Sequence, residues 1–524
     1  MPDADAIVVG AGCNGLACAI LLAGAGWRVT VLERADEPGG AIRTAEVTLP
    51  GFRHDLYATN LNLFAGSPFF AELRDELVAH GLEFSAASRP FGSVFPDGRF
   101  VGVSTDPEET LASLRAVSRQ DAERWRELAL RFTEIAPHLF PLLALPMPSL
   151  AAARVLWRGR RALGRGWPYE LARLATQSTR ELAEEHFESP EVRSLVSAWG
   201  MHLDFPPDVP GGALFSFVES FASAANGMAF GTGGAGTLVD ALAGVLRSRG
   251  GELRCGAEVE RILVEDGRAA GVVLRGGGRL VAARAVIANL TPTVLGRLLA
   301  DPPPEVVRYR YGPGTLMVHL ALDQLPAWTA GADVRRSAYV HVAPYLEDMA
   351  LAYQQATAGL LPERPTLVVG QPAAVDPTRA PAGKQVLWVQ ARVVPGAIRG
   401  DAGSEIGATG WDDAKEPFAD RVLAMLEQYA PGLRELVLAR HVLSPADVER
   451  ANPNLVGGDQ LSGSHHAFQH FFLRPLPGWT RYRTPIDRLF MCGAATWPGA
   501  GVGAGSGYLL GKQLARKTKN APSR

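Results

Sequence analysis

Three glycines near the start of the chain, Gly10, Gly12 and Gly15, have the spacing Gly-x-Gly-x-x-Gly. The first permits a tight turn, the second lets the backbone approach a pyrophosphate, and the third lets a helix lie close to a sheet. Glu33 follows about twenty residues later, where a carboxylate accepts hydrogen bonds from ribose hydroxyls. An acid there selects a ribose without a 2′-phosphate, so these residues predict the binding of a dinucleotide such as FAD or NAD.

The elements around these glycines are those that a dinucleotide site requires. Residues 6–9 are apolar and rich in β-branched side chains, which is typical of a buried parallel strand. Residues 14–25 are almost all small or apolar, as expected for a helix packed on a sheet whose N-terminal N–H groups face the phosphates. Residues 28–32 form a second strand that ends at the acid. We therefore predict a Rossmann-like α/β domain, with Asn14 and Arg34 also in the cofactor site.

A second match to the glycine pattern lies at Gly231, Gly233 and Gly236. No clear strand precedes it, and no acid follows at the expected distance. We interpret this match as a glycine-rich entry to a helix, because the pattern alone is weak evidence for a nucleotide site.

The composition of the 524-residue chain is that of a globular protein, with 47% hydrophobic and 20% charged residues. The length suggests two domains, and the net charge of −2 gives no electrostatic footprint for nucleic acid. The four cysteines are scattered, so we expect no metal site and a reducing, cytoplasmic location. No apolar run is long enough to span a bilayer, so any membrane contact is expected to be peripheral.

Two more glycines, Gly39 and Gly40, follow the ribose-binding acid. They let the chain fold back over a long, bent cofactor, and Arg43 can place a planar cation near the phosphates. Directly after a complete dinucleotide fingerprint, this glycine pair favours FAD over NAD.

The segment 39–60, with its Pro50-Gly51-Phe52 sequence, resembles the phytoene desaturase-like FAD oxidoreductases. That superfamily includes carotenoid desaturases, isomerases, ketolases and retinol saturases. The resemblance implies a Pro-Gly-Phe hairpin followed by a loop that passes beside the flavin ring. Many members have arginine directly after the two glycines, whereas this chain has Ala41 there and its arginine two residues later.

The C-terminal segment resembles the carotenoid ketolase-like branch of the same superfamily. It contains a strand, a glycine-rich loop and a helix, and the residues assigned to the flavin are Gly493, Trp497, Val502 and Gly503. N–H groups near Val502 and Gly503 can bind the flavin pyrimidine and stabilise the anionic reduced ring, and Trp497 is expected to pack beside the ring. Members often have His-Gly where this chain has Ser462-Gly463, so the resemblance does not extend to the identity of the substrate.

The cofactor segments are separated along the chain. In similar flavoproteins the segment that corresponds to Glu258-Val259 meets the adenine through the valine backbone, and the strand that ends at Asn289 lies beneath the cofactor. We therefore predict an α/β fold with the flavin amine oxidase architecture. Its discontinuous Rossmann-like FAD-binding domain comprises residues 1–75, 225–295 and 446–524, and its mixed α+β substrate-binding domain comprises residues 76–224 and 296–445.

Residues 137–167 combine an apolar, proline-rich part with clustered arginine and tryptophan side chains. The prolines are expected to prevent a long regular helix. Apolar residues beside clustered cations can lie on an anionic membrane and admit a lipid-soluble substrate. The alternative is a core helix with a solvated basic edge.

The function predicted from these features is that of an FAD-dependent oxidoreductase of the desaturase or dehydrogenase type. A hydride leaves a hydrophobic small molecule, a polyene, isoprenoid or other lipid-like compound, for flavin N5. His54 and Tyr57 in the flavin-side loop are the candidate catalytic bases, whereas the lone His202 is expected to be structural. A flavin amine oxidase and a non-catalytic prenyl-binding protein of the GDP-dissociation-inhibitor type remain alternatives. The reaction direction, electron acceptor and oligomeric state stay open at this stage.

Overall fold

A computed structural model describes residues 2–519, with side chains up to residue 516. The strands are β1 (Ala4–Val9), β2 (Val29–Leu32), β3 (Thr44–Ala45), β4 (His54–Asp55), β5 (Phe84–Ala87), β6 (Phe91–Val94), β7 (Phe100–Val103), β8 (Met228–Gly231), β9 (Glu252–Arg254), β10 (Val259–Glu265), β11 (Arg268–Leu274), β12 (Arg279–Ala288), β13 (Gly314–Leu322), β14 (Tyr339–Val342), β15 (Leu360–Leu361), β16 (Thr366–Gly370), β17 (Gln385–Val394), β18 (Gly400–Asp401), β19 (Val437–Leu443) and β20 (Leu489–Met491).

The α-helices connect these strands and cover the sheets. They are α1 (Cys13–Gly24), α2 (Asn62–Ala65), α3 (Pro68–Ala79), α4 (Pro107–Arg115), α5 (Arg119–Leu143), α6 (Leu150–Leu163), α7 (Trp167–Leu174), α8 (Thr179–His186), α9 (Pro190–Met201), α10 (Gly212–Asn226), α11 (Gly236–Ser248), α12 (Pro292–Arg297), α13 (Leu346–Thr357), α14 (Pro372–Val375), α15 (Trp411–Glu427), α16 (Leu433–Leu436), α17 (Pro445–Ala451) and α18 (Gly505–Lys519).

The first large sheet has β1 near its centre, in the order β10-β11-β12-β1-β2-β9, and β20 pairs with β12. Strands β12, β1, β2, β9 and β20 are parallel to their neighbours in this group. Burial on both faces explains why β1 and β2 consist mainly of apolar residues. Because parallel strands end at one edge of a sheet, the loops after β1, β2, β12 and β20 lie together there, although they come from distant parts of the chain.

The second large sheet has the order β19-β13-β17-β16-β14-β6-β7 and is antiparallel except for the pair β14 and β6. It combines two separate parts of the chain. Strands β6 and β7 lie before α4, whereas the other five strands follow residue 313. Strands β6 and β7 form an antiparallel hairpin whose turn contains Phe95-Pro-Asp-Gly. The membership of the two sheets has the discontinuous pattern predicted, while the domain boundaries themselves stay predictions.

The predicted helix break in the proline-rich segment is wrong. Helix α5 continues through Pro137 and Pro141 to Leu143. Each proline lacks an N–H and so removes one backbone hydrogen bond from the helix. Phe132, Ile135 and Leu142 are buried in the core beneath this helix, and we attribute its continuity to that packing, which outweighs local propensity.

Candidate active site

The three N-terminal glycines form a tight backbone cradle after β1. Gly10 has a φ of 96°, which glycine adopts without strain. A Cβ atom on Gly15 would lie 2.3 Å from the carbonyl oxygen of Gly10, and one on Gly12 would lie 2.9 Å from Nδ2 of Asn289. The same Nδ2 donates a hydrogen bond to the Gly10 carbonyl over 3.2 Å. The cradle therefore depends on the absence of side chains, and it fits the close approach of a pyrophosphate to the N-terminus of α1.

The carboxylate of Glu33 is fixed at the end of β2 by two backbone groups. The N–H of Ala11 donates to Oε2 over 2.8 Å, and the N–H of Ala35 donates to Oε1 over 3.0 Å. Each oxygen keeps a free acceptor position. This arrangement fits the binding of two ribose hydroxyls.

Gly39 and Gly40 reverse the chain over the cradle, with φ values of 131° and 62°. The N–H of Gly39 donates to the carbonyl oxygen of Ala11 over 3.0 Å. Arg43 is half exposed and pairs with Glu37 over 3.1 Å. Its side chain is thus held by an acid at the rim of the site.

The C-terminal segment is joined to α1 through Asn14. Oδ1 of Asn14 accepts hydrogen bonds from the Ser506 hydroxyl over 3.0 Å and from the Gly507 N–H over 3.2 Å. The Ser506 oxygen also accepts from the Gly493 N–H over 2.8 Å. Asn14 therefore connects the first helix, the loop after β20 and the last helix. Trp497 donates its indole N–H to the carbonyl oxygen of Leu145 over 2.9 Å.

One large cavity connects these segments. Its volume is about 1920 Å³, which exceeds the usual few hundred to one thousand Å³ of a single-ligand pocket. It is lined by the predicted cofactor residues Gly10, Gly12, Asn14, Glu33, Arg34, Gly39, Gly40, Arg43, Val259, Gly493, Trp497, Val502 and Gly503. Gly15 is not part of the lining, because it packs α1 against the turn. The size and the residues fit FAD together with a second molecule.

The second glycine motif has a structural role that its sequence did not reveal. A strand does precede it, because β8 pairs with β5, so the prediction that no strand precedes it is wrong. The motif does not line the large cavity. Instead, the N–H of Ala235 donates to Oδ1 of Asp55 over 2.8 Å, and the N–H of Gly233 donates to Asp376 over 2.7 Å. The amides at the start of α11 therefore bind internal carboxylates.

The two candidate bases occupy different environments. Tyr57 is buried and lines the cavity, and burial raises the pKa of its hydroxyl above the usual value. His54 is also buried but is not part of the lining. Its Nε2 lies 2.8 Å from the Thr48 hydroxyl, and burial, followed by the charge of Arg379, lowers its pKa to about 4. At neutral pH Tyr57 is therefore protonated and His54 is uncharged.

Beyond the cofactor segments, the cavity continues into a chamber with apolar walls. The walls come mainly from α5, α6, α7 and α10 and include Phe132, Leu139, Phe140, Leu143, Leu156, Leu171, Leu214, Phe215, Val218 and Ala222. Side chains of α5, α7 and α10 belong to the same hydrophobic cluster as Tyr339 and Trp388 of the second sheet. Such a chamber can bind a large apolar molecule and exclude water from it.

Polar side chains interrupt the apolar lining at few positions. Alternate residues of β17 contribute Trp388, Gln390 and Arg392 to the lining. Glu219 of α10 also lines the chamber, and burial raises its pKa to about 7. The β17 residues were not among those predicted from the sequence. The sequence feature that could have identified them is the alternation of Gln390 and Arg392 with apolar residues along the run.

His202 lines the chamber too, contrary to the purely structural role expected for it. Its Nε2 lies 3.1 Å from Nε2 of His341. Burial, followed by the charge of Arg392, lowers the pKa of His202 well below the usual value. The imidazole is therefore an uncharged part of the wall.

Comparison with known proteins gives one family for nearly the whole chain. The model of the family described as flavin containing amine oxidoreductase matches residues 15–517. A rat protein named pyridine nucleotide-disulfide oxidoreductase domain-containing protein 2 is 28% identical, over 99% of this chain and 94% of that protein. The neurosporene-forming phytoene desaturase of Cereibacter sphaeroides is also 28% identical, over 95% of this chain and 92% of the enzyme.

Solved structures show the same fold. The crystal structure of an oxidoreductase from Methanosarcina mazei superposes with a TM-score of 0.60. The two sequences are 19% identical, and the match covers 98% of this chain and 99% of the other. At this identity the likeness concerns the fold alone.

Proposed function

Because the chain belongs to the family of flavin containing amine oxidoreductases and is an FAD-dependent oxidoreductase, we propose that it removes hydrogen from an apolar, isoprenoid or other lipid-like substrate. One observation carries this proposal: the cavity continues from the glycine cradle into a chamber with apolar walls. Similarity to a phytoene desaturase supports the same class of substrate. The FAD requirement speaks against a non-catalytic prenyl carrier.

FAD, when bound, would supply the redox chemistry as the hydride acceptor. The chain's own residues position both partners. Trp497, Val502 and Gly503, which are predicted to hold the flavin, line the same cavity as the helices α5 and α10. Apolar walls keep water away from the substrate and thereby strengthen electrostatic interactions in the site.

Introducing a double bond also releases a proton, which requires an acceptor. Tyr57 is protonated at neutral pH and is suited to donate a hydrogen bond rather than to accept this proton. His54 lies outside the lining and can act on substrate only through other groups. Glu219 lines the chamber, and its pKa of about 7 leaves part of the population ionised at neutral pH. Among the three, Glu219 best combines access with a suitable pKa.

The chamber has a basic helix beside it, which we propose as a site of peripheral membrane contact. Ser149, Ala152 and Leu156 at the start of α6 line the cavity, while Leu150 and Trp157 of the same segment are 78% and 55% exposed. Residues 149–166 contain five arginines and no acid. This combination favours an anionic membrane surface from which an apolar substrate enters. No helix within residues 2–519 is long and apolar enough to cross a bilayer.

Anaerobic flavin reduction tests the proposed reaction. The FAD-loaded protein is mixed with isoprenoids and polyenes in detergent micelles, and with polyamines of similar length, while the flavin absorbance is recorded. We expect bleaching with at least one apolar compound and none with an amine. Bleaching by an amine alone, with peroxide release in air, would establish the amine oxidase alternative instead.

A further inference from the structure

Strand β17 presents a row of polar groups to the chamber. Trp388, Gln390 and Arg392 are alternate residues, so their side chains share one face of the strand, and all three line the cavity. Within residues 2–519, the indole Nε1, the amide Oε1 and the guanidinium Nε of these residues are buried without a hydrogen-bond partner. A buried polar atom without a partner is energetically unfavourable. The indole Nε1 and the guanidinium Nε are donors, so an acceptor on a ligand would complete them, whereas Gln390 already donates from its Nε2 to Oε1 of Gln460 over 3.0 Å.

Arg392 is the charged member of this row. Its Nη1 donates to the carbonyl oxygen of His202 over 3.4 Å, and none of the described acids lies within ion-pair distance of it. Burial lowers its pKa to about 10, so the guanidinium stays charged at neutral pH. The charge of Asp459 acts in the opposite direction and raises the pKa of Arg392, without an ion-pair contact. The carboxylate oxygens of Asp459 accept hydrogen bonds from the backbone N–H groups of Gly312, Leu461 and Gly463 instead. The chamber therefore contains a cation without a contacting counter-charge.

The backbone next to Arg392 is strained. Across from β13, Thr315 pairs with Arg392 and Gly314 pairs with Val394, so Val393 is an extra, bulged residue. Val393 has a φ of 57°, which is costly for a β-branched side chain. A bulge redirects the side chains beside it and is frequent next to binding sites. It ends the polar row at Arg392.

We infer that Arg392, with Trp388, binds the carboxylate of an apolar carboxylic acid in the chamber. This inference rests on the proposed function and names the substrate class for the same site. The two carboxylate oxygens can accept the indole and guanidinium N–H groups. The Gln390 amide borders the site and keeps its own hydrogen bond to Gln460. One guanidinium matches the single charge of a carboxylate, whereas a diphosphate carries several. The apolar walls then hold the hydrocarbon chain.

Ligand binding to the oxidised, FAD-loaded protein tests the inference. Farnesoic acid, farnesol, farnesylamine and farnesene share one chain and differ in their end group. Their dissociation constants are measured at pH 8 from the perturbation of the flavin spectrum. We expect the acid to bind at least tenfold more tightly than the other three. Arg392→Gln should weaken binding of the acid at least thirtyfold and of farnesol less than threefold, and Trp388→Phe should weaken the acid a few fold.

Two variants separate charge from folding. Arg392→Lys keeps the cation but not the planar fork, so it should bind the acid with intermediate affinity. Arg440→Gln changes an exposed arginine of β19 that pairs with Glu416 and Asp420, and it should leave acid binding unchanged. The inference is overturned if the acid binds no better than farnesol, or if Arg392→Gln weakens both ligands equally. Loss of FAD from Arg392→Gln would also overturn it, by assigning the cation to the cofactor.

Failure of the inference differs from failure of the proposed function. Arg392-dependent binding of the acid without flavin reduction by any apolar compound would refute the reaction and keep the carboxylate site. Flavin reduction by farnesene or another hydrocarbon, without preferential binding of the acid, would keep the reaction and refute the carboxylate site.

Discussion

Asp55 and Arg379 form a fully buried ion pair, with 2.7 Å between Oδ2 and Nη2. The same carboxylate accepts hydrogen bonds from the Thr44 hydroxyl over 2.6 Å and from the Ala235 N–H over 2.8 Å. Asp55 precedes Tyr57 by two residues, so this network holds the loop that lines the predicted flavin site. It joins β4, the start of α11 and the segment after α14.

Replacing Asp55 by asparagine keeps its size but leaves Arg379 as an uncompensated buried charge. We expect the free energy of unfolding to fall by about 3 kcal/mol or more, measured by urea denaturation. Glu416→Gln breaks an exposed ion pair with Arg440 and should cost less than about 1 kcal/mol. Equal losses for the two variants would contradict the structural role of the buried pair.

Adding one methyl group to the glycine cradle should prevent cofactor binding. A Cβ on Gly12 would lie 2.9 Å from Nδ2 of Asn289 and would occupy the surface that the pyrophosphate approaches. We expect Gly12→Ala to lower FAD affinity at least tenfold, or by about 1.4 kcal/mol, measured by equilibrium dialysis. Gly407→Ala is the control, because its Cβ meets nothing within 4 Å. Normal flavin content in Gly12→Ala would argue against this site.

Burial of His54 predicts an effect of pH on stability. Its pKa of about 4 in the folded protein is below the ordinary value of 6.5, so the unfolded chain binds more protons between these values. The contribution is complete above about pH 6.5 and is lost as the pH falls towards 4, by roughly 3 kcal/mol at most. His54→Asn should therefore unfold at a temperature that depends less on pH over this window. The exposed His80→Asn should retain the wild-type slope, and an unchanged slope in His54→Asn would contradict the prediction.

Charge reversal on α6 tests the membrane proposal. A variant with glutamate at Arg154, Arg158 and Arg161 should sediment less with anionic liposomes at low salt, because each basic residue contributes about 1 kcal/mol near such a surface. A variant with glutamate at Arg268, Arg279 and Arg284, in β11 and β12 of the first sheet, carries the same change in charge and should bind normally. Binding that is lost in both variants, or in neither, would reject α6 as the contact.

The elements of the cofactor domain could be predicted from the sequence because their signals are local. The tight turn after β1 requires a glycine such as Gly10, which adopts a positive φ. The buried strand before it requires an apolar run such as residues 6–9. The strand, loop and helix around Gly493 and Val502 are recognisable for the same reason. The family assignment confirms the fold class and the FAD requirement that these signals predicted.

The failures arose where distant contacts compete with local preference. Pro137 and Pro141 predict a helix break, yet α5 is continuous through both prolines. Side chains on one face of this helix are buried in a hydrophobic cluster. The glycines around Gly233 form the predicted entry to a helix, α11, but the strand before them and the hydrogen bonds from Gly233 and Ala235 to Asp376 and Asp55 were not predicted. Neither acid can be paired with those amides from sequence spacing.

By itself, the sequence determined that a dinucleotide binds where a strand meets the first helix, because backbone geometry and hydrogen-bonding capacity there depend on neighbouring residues. The alternate positions of Trp388, Gln390 and Arg392 put their side chains on one side of β17, once the structure shows a strand there. Only the tertiary structure decided that this side faces the chamber, because the direction follows from how the second sheet packs against helices hundreds of residues away in the chain.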